Sequence, residues 1–255
     1  MSAKTAPANL RPGWLEVRDL VMVRGTKAVT AAIELRIAPG KITALAGANG
    51  AGKTSTVLGI SGVIEPAFGE IWLDGHDLVG LDADEIRRRG IATVPEGHQV
   101  LRELTVRDNL LVASGGLSRG DTNAAIERVL DLFPELKEKL QQPAGDLSGG
   151  QQQMVAIAQA LIVEPRFLVI DELSFGLAPT IVARLVPIIR KIAASGIGVL
   201  LIEQFTQLAL ALAHHVYVMS RGSVSYDGEP AKLREDPDIL HRAYFPVSDR
   251  EAVGL

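Results

Sequence analysis

The chain has 255 residues, 47% of them hydrophobic and 22% charged, a balance that can fill the core of one large α/β domain. A formal net charge of −4 argues against a nucleic-acid surface, so no nucleic-acid partner is expected. The absence of cysteine excludes disulfides, cysteine-ligated zinc, iron–sulfur clusters and thiol nucleophiles together.

Residues 1–12 are small, polar and proline-containing, without an apolar stretch of signal-peptide type, and read as a disordered tail ahead of a domain over 13–255. Trp14 to Met22 and Ala31 to Ile37 alternate in part and predict antiparallel strands. Pro39-Gly40 marks a turn, and the run Ile42 to Ala46 a buried strand with a helix following from Ser55 to Ile60. A turn at Pro66 to Gly69 precedes a strand at Glu70 to Leu73. Asp82 to Glu85 has the form of a capping box, opening a short helix that Gly90 closes. Ile91 to Val94 is a strand stopped by Pro95. From there to about Val163 the pattern is helical, with Thr105 and Asp121 as expected caps. Strands return at Phe167 to Ile170, Ile197 to Ile202, Val216 to Ser220 and Ser223 to Tyr226. They alternate with helices near Thr180 to Ala194 and Thr206 to Ala213, as a largely parallel sheet requires. Pro187 is expected to kink or break the first of these helices. Apolar runs such as Ile197 to Ile202 fall far below the ~20 residues of a membrane helix, so the chain is expected to be soluble or peripheral. The expected organisation is an α/β core over 13–95 and 164–255, with a helical insertion over about 96–163.

Three motifs carry chemistry. Gly47 to Thr54 reads Gly-Ala-Asn-Gly-Ala-Gly-Lys-Thr, a complete G-x-x-x-x-G-K-[ST] loop between a strand and a helix. Its backbone amides can turn inward on an anion, with the helix N-terminus behind them. Lys53 can reach the β- and γ-phosphates, and the Thr54 hydroxyl can ligate Mg²⁺. Asn49, Gly50, Ala51, Gly52, Lys53, Thr54 and Ser55 are therefore the expected phosphate-binding set. Phe167 to Glu172 is an apolar strand ending in two carboxylates, at the edge where ligands bind in open α/β sheets. Asp171 suits Mg²⁺; Glu172 suits a general base for the attacking water. Leu147-Ser148-Gly149-Gly150-Gln151 is a second anion site ahead of a helix, with a Ser cap and two permissive glycines. Of the five histidines, His214 and His215 cannot share one helix face, and His76, His98 and His241 are scattered. Solvation or packing suits all five, with His98 notable for its place beside Glu96.

In this order and spacing, Gly47 to Thr54, Leu147 to Gln151 and Leu168 to Glu172 resemble the nucleotide-binding subunits of ABC transporters, over nearly the whole chain after the tail. The resemblance implies a P-loop core with an antiparallel β-subdomain and an inserted α-helical subdomain. It implies an ATPase that hydrolyses ATP with Mg²⁺ between two subunits. Ser148, Gly149, Gly150 and Gln151 of one subunit would face the phosphate loop of another, either a second copy or a sister ATPase. The expected partners are transmembrane permease subunits and, indirectly, a solute-binding protein, at the cytoplasmic face of the membrane. Glu96, in Val94-Pro95-Glu96-Gly97, stands where most of the family has glutamine. Gln204 stands where most have the switch histidine, and Ser174 to Pro179 replaces a loop ending in Asp. These three substitutions are similar to the smaller ATPase of branched-chain amino acid importers; the related urea-importer ATPase looks alike. Glu96 is implied near Mg²⁺ or the lytic water, and Gln204 at the γ-phosphate. Val23 falls where the family usually places an adenine-stacking aromatic, so apolar contact from Val23 or a cation–π contact from Arg24 would substitute. The rival reading is a non-transport ABC ATPase such as an iron–sulfur cluster assembly scaffold subunit.

Overall fold

A computed structural model of the protein describes residues 6–7, 9–115, 117–204 and 206–244. The chain first lays down β1 (Leu15–Val21), a short hairpin of β2 (Val23–Arg24) and β3 (Lys27–Ala28), and β4 (Ile33–Ile37). β5 (Ile42–Gly47) then runs into α1 (Lys53–Ile60). β6 (Phe68–Leu73), β7 (His76–Asp77), α2 (Ala83–Arg88) and β8 (Ile91–Val94) follow. Strands β4, β1, β6 and β7 form an antiparallel sheet in that spatial order.

Between β8 and the next strand lie only helices: α3 (Val106–Ala113), α4 (Arg119–Leu132), α5 (Pro134–Lys137) and α6 (Gly149–Leu161), with a 3₁₀ turn at Ala144–Asp146. Strand β9 (Phe167–Asp171) reopens the sheet, followed by α7 (Pro179–Ala194), β10 (Gly198–Glu203), α8 (Thr206–Leu212), β11 (His215–Ser220) and β12 (Ser223–Gly228). Two proline-led helices, α9 (Pro230–Glu235) and α10 (Pro237–Tyr244), close the described chain. The second sheet has six strands in the order β12-β11-β5-β10-β9-β8. All its pairings are parallel except that of β12 with β11.

Alternation along the central strands builds three cores from one sheet. Leu45, Val169, Leu200, Ile202, Tyr217 and Met219 pack toward the antiparallel sheet, against residues such as Leu15, Val17 and Leu35. Leu168, Ile170, Val199 and Leu201 face the helical insertion, against Leu110, Met154 and Ile157. Ala44, Ala46, Val216 and Val218 are covered by Ala209, Leu233 and Ala243 of the C-terminal helices. The insertion is also tied by polar contacts: Arg87 of α2 donates to the Ala113 carbonyl at 2.5 Å, and Arg184 of α7 pairs with Glu135 of α5 at 2.7 Å.

Several expectations need correction. The cap of α4 is Ser118, whose hydroxyl oxygen accepts from the Asp121 amide; Asp121 lies in the first turn, where its carboxylate accepts from the Ser118 hydroxyl at 2.6 Å. Pro187 does not break α7, which runs unbroken from Pro179 to Ala194. The proline sits on the exposed face, as does Ala183, whose carbonyl loses its helical partner and can turn to water. The β2–β3 hairpin and helices α9 and α10 add to the elements expected from the sequence pattern. Of the tail expected over 1–12, residues 1–5 and 8 lie outside the described residues. Further along, the Arg11 amide donates to Glu16 at 2.6 Å and the Arg11 guanidinium lies 4.6 Å from the Trp14 ring centroid. Among the described residues, no helix is long and apolar enough to cross a membrane.

Candidate active site

Register brings the charged motifs together. In the parallel sheet Glu203 is paired with Ala46, Ile202 with Asp171, and Val94 with Ile170. The C-terminal ends of β5, β10, β9 and β8 therefore lie side by side. At that edge stand the Gly47 loop, Glu203 and Gln204, Asp171 and Glu172, and, just past Pro95, Glu96. This is the edge at which an open α/β sheet binds its ligand.

The phosphate loop closes on itself through its lysine. Lys53 is 4% exposed, and its ammonium donates to the carbonyls of Gly47 at 2.8 Å and Ala48 at 3.2 Å. Burial holds the Lys53 pKa below the usual value, against the opposing pull of Glu172, Asp171, Glu203 and Glu96. Gly52 caps α1 in the left-handed region at φ 103°, where a Cβ would also come within 2.8 Å of the Thr30 methyl and 2.9 Å of the Val29 carbonyl. Only glycine meets both demands there. The α1 helix behind it buries Ser55 and Thr56, the latter bonding back to the Gly52 carbonyl at 3.0 Å. Ala51 is buried, while Asn49 and Gly50 are exposed. The β2–β3 hairpin carrying half-buried Val23 leads directly into Val29 and Thr30, the residues packed on Gly52.

Asp171 is 3% exposed and ends β9. The Thr54 hydroxyl bonds its carboxylate, yet its Oδ1 is buried with no hydrogen-bond partner. Burial first, then the charges of Glu172 and Glu96, push its pKa up to about 6. Such an oxygen is expensive to leave unpaired. Glu172, half-buried, is raised by burial and by Glu96, with Lys53 opposing. Its backbone lies in the left-handed region at φ 51°, and its amide donates to the Ile202 carbonyl at 3.0 Å. Gln204 is exposed at the tip of β10.

The raised Asp171 pKa has a consequence for stability. The folded protein holds this proton more tightly than the unfolded chain. That contribution is complete below about pH 4 and is lost as pH rises through about 6. Without nucleotide, Asp171→Asn is expected to be more stable than wild type at pH 7.5, by on the order of 2 kcal/mol, with the gain vanishing toward pH 4. Urea unfolding at the two pH values measures it. A mutant less stable than wild type at pH 7.5 would show that the carboxylate is well compensated in the folded chain.

The Ser148–Gln151 segment stands apart from the phosphate loop. Ser148 caps α6 by a reciprocal pair: the Gln151 amide donates to its Oγ at 3.3 Å and its own amide to Gln151 Oε1 at 3.2 Å. Gly150 is buried so tightly that a Cβ would lie 2.3 Å from the Ile181 Cγ2. Among the described residues, no hydrogen bond or ion pair of residues 148–151 reaches residues 47–55. Ser148 and Gly149 face outward. One further residue belongs to the site although none of the three motifs contains it: Glu203 is fully buried beside Gln204. A sequence signal for it exists, since it ends an otherwise apolar strand in the way Asp171 does.

Comparison with known proteins agrees with this geometry. The ABC transporter family matches residues 30–174. The high-affinity branched-chain amino acid transport ATP-binding protein BraG of Pseudomonas aeruginosa is 40% identical over 207 residues, 81% of this chain and 89% of BraG. The lipopolysaccharide export system ATP-binding protein LptB of Acidithiobacillus ferridurans is 32% identical, over 88% of this chain and 94% of LptB. Among solved structures, MJ1267, an ATP-binding cassette of an ABC transporter, superposes with a TM-score of 0.81 at 26% identity, covering 89% of this chain and 97% of that one. A P-loop core, a carboxylate pair at its ligand-binding edge and a helix capped by Ser148 and Gln151 are thus joined in one chain with relatives of nearly its own length, and the protein belongs to the ABC transporter family as an ATP-binding, ATP-hydrolysing subunit.

Proposed function

We propose that the chain powers an importer of branched-chain amino acids or a similar small polar solute, hydrolysing Mg-ATP at a site completed by a second ATPase subunit. The observation that carries the mechanism is the convergence of Lys53, Asp171 and Glu172 at one sheet edge. The importer reading rests on the 40% identity to BraG, together with Glu96 and Gln204 in place of the usual glutamine and histidine.

Phosphoryl transfer needs positioning and charge stabilisation more than covalent chemistry. The amides of Asn49 to Ser55 and the Lys53 ammonium receive the phosphates, which replace the loop carbonyls as lysine partners. Mg²⁺, when bound with ATP, neutralises charge on the phosphates. The orphaned Asp171 Oδ1 and the Thr54 hydroxyl fit its preference for oxygen donors, with Glu96 beside them. Glu172 takes the proton of the attacking water; burial and the charge of Glu96 raise its affinity for that proton, with Lys53 opposing. Gln204 donates a neutral hydrogen bond toward the γ-phosphate. Val23 or Arg24 supports the adenine. Ser148, Gly149, Gly150 and Gln151 of the facing subunit close the site, which accounts for the outward placement of Ser148 and Gly149 at the head of that segment. The subunit works at the cytoplasmic face of the membrane, bound to permease subunits that take solute from a binding protein. Its core over 13–95 and 164–255 and its helical subdomain over 96–163 move as units during closure.

Uptake of labelled leucine tests the importer reading. A cell carrying Lys53→Ala in place of the wild-type chain should lose high-affinity uptake; unchanged uptake of branched-chain amino acids would reject this solute class. A second prediction concerns position 204. Glutamine does not titrate, whereas histidine gains a proton below about pH 6.5. Gln204→His should therefore introduce a new dependence of kcat on pH between about 5.5 and 7.5, because charge beside the γ-phosphate acts directly on the transition state. Superimposable pH–rate profiles at saturating Mg-ATP would place residue 204 away from the reacting phosphate.

A further inference from the structure

Glu203 is a buried carboxylate in a site that must accept polyphosphate, which is a poor place for another negative charge unless it has work there. Both of its oxygens are engaged by one residue across the strand gap. The Ser174 amide donates to Oε1 at 3.1 Å and the Ser174 hydroxyl donates to Oε2 at 2.8 Å. Ser174 is two residues beyond Glu172. One residue before Glu203, the Ile202 carbonyl accepts the Glu172 amide at 3.0 Å. The last two residues of β10 thus grip residues 172 and 174 together. What they hold is strained: Glu172 carries a full side chain in the left-handed region, at φ 51°. Such a conformation persists only where the surroundings fix it, and it collects at functional sites.

We propose that Glu203 is a positioning residue for the reaction, holding the Ser174 turn and through it the backbone of Glu172, so that the base keeps its place at the sheet edge. The chemistry explains why the position is acidic. Two donors, one N–H and one O–H, converge on it, and an ionised carboxylate accepts both at once without any rotation. Leu173, fully buried between the two gripped residues, anchors the same turn from its apolar side. Because Gln204 follows Glu203 directly, the same clamp fixes the spacing between the base and the switch position. This inference rests on reading Glu172 as the base.

The test compares Ser174→Ala, Ser174→Thr, Glu203→Gln and Glu172→Gln in the full chain. Each is assayed for steady-state ATPase and for amide hydrogen exchange over residues 172–177. Ser174→Ala removes one of the two bonds and leaves the fold intact. It should lower kcat about tenfold while KM for Mg-ATP stays within about twofold, and it should speed exchange in that segment. Ser174→Thr restores the hydroxyl and should restore both readouts. Glu203→Gln keeps the shape, loses the charge assistance, and should fall between them. A purely structural role would move stability without this split between kcat and KM. Wild-type kcat in Ser174→Ala, or a Ser174→Thr protein as slow as Ser174→Ala, would overturn the clamp while an inactive Glu172→Gln leaves the base reading standing. Turnover retained in Glu172→Gln would instead remove the base, and with it the purpose of the clamp.

Discussion

Glu172→Gln is expected to abolish steady-state ATP hydrolysis, by about a hundredfold or more, while ATP binding survives. The amide has nearly the size of the carboxylate and can keep the left-handed backbone and the bond from its main-chain N–H to Ile202. It cannot accept the proton of the attacking water. Binding should tighten rather than weaken, since one of the negative charges felt by Lys53 and Asp171 is gone. For the same reason the Asp171 pKa should drop from about 6, because Glu172 is its largest charged perturbant after burial. The measurements are ATPase turnover, nucleotide affinity, and sedimentation of the ATP-loaded mutant, which should accumulate as a dimer when opening waits on hydrolysis. A mutant with wild-type turnover would take Glu172 out of the mechanism. A mutant that neither binds nor turns over ATP would show only that the site had been damaged.

How much of this is legible in the sequence depends on what each feature needs. The Gly47–Thr54 loop is local: spacing, flanking strand and helix all lie within one stretch, and Gly52 at φ 103° sits where the pattern demands glycine. Asp171 and Glu172 are legible because a strand ending in acids is a one-dimensional signal. Glu203 carries the same signal but draws its meaning from Ser174, a partner 29 residues away, which only the sheet register supplies. The Ser118 cap is hidden by its own partner, because Asp121 is also a good capping residue and the two form one reciprocal unit. Helices α9 and α10 are short, and their apolar residues Leu233, Ile239 and Leu240 acquire a face only against Ala44, Ala46, Val216 and Val218. The β2–β3 strands are two residues each, below any periodicity that sequence can display. Continuity of α7 through Pro187 turns on which side of the helix meets water, and that is a property of packing.

The strongest consequence of the separation between Ser148 and the phosphate loop is a complementation. Lys53→Ala removes the ammonium proposed to neutralise the β- and γ-phosphates, and Ser148→Arg places a bulky cation at the exposed head of the Ser148–Gln151 segment, the signature of the facing subunit. Each protein alone should retain only a few per cent of wild-type ATPase activity. Mixed in equal amounts, the two should recover part of it. In a two-fold symmetric dimer each site draws its phosphate loop from one subunit and its signature from the other. A mixed dimer then has one site with both lesions and one with neither, and about half of randomly assembled dimers are mixed. The choice of lesions follows from the structure. Lys53 is 4% exposed and bonded within its own loop, so its removal acts at home; Ser148 is exposed, so its replacement acts across the interface. Position 148 is chosen over 150 because a side chain at Gly150 would strike Ile181 and disturb the fold instead. Recovery should rise with the fraction of mixed dimers, measured by differential tagging. Mixed dimers that form and remain inactive would mean either that each subunit holds a complete site or that both sites must fire together. A tandem fusion of two chains with both lesions in the same half separates these: inactivity there supports shared sites that fire together, because each site then carries one lesion, whereas about half of wild-type activity rejects the shared site.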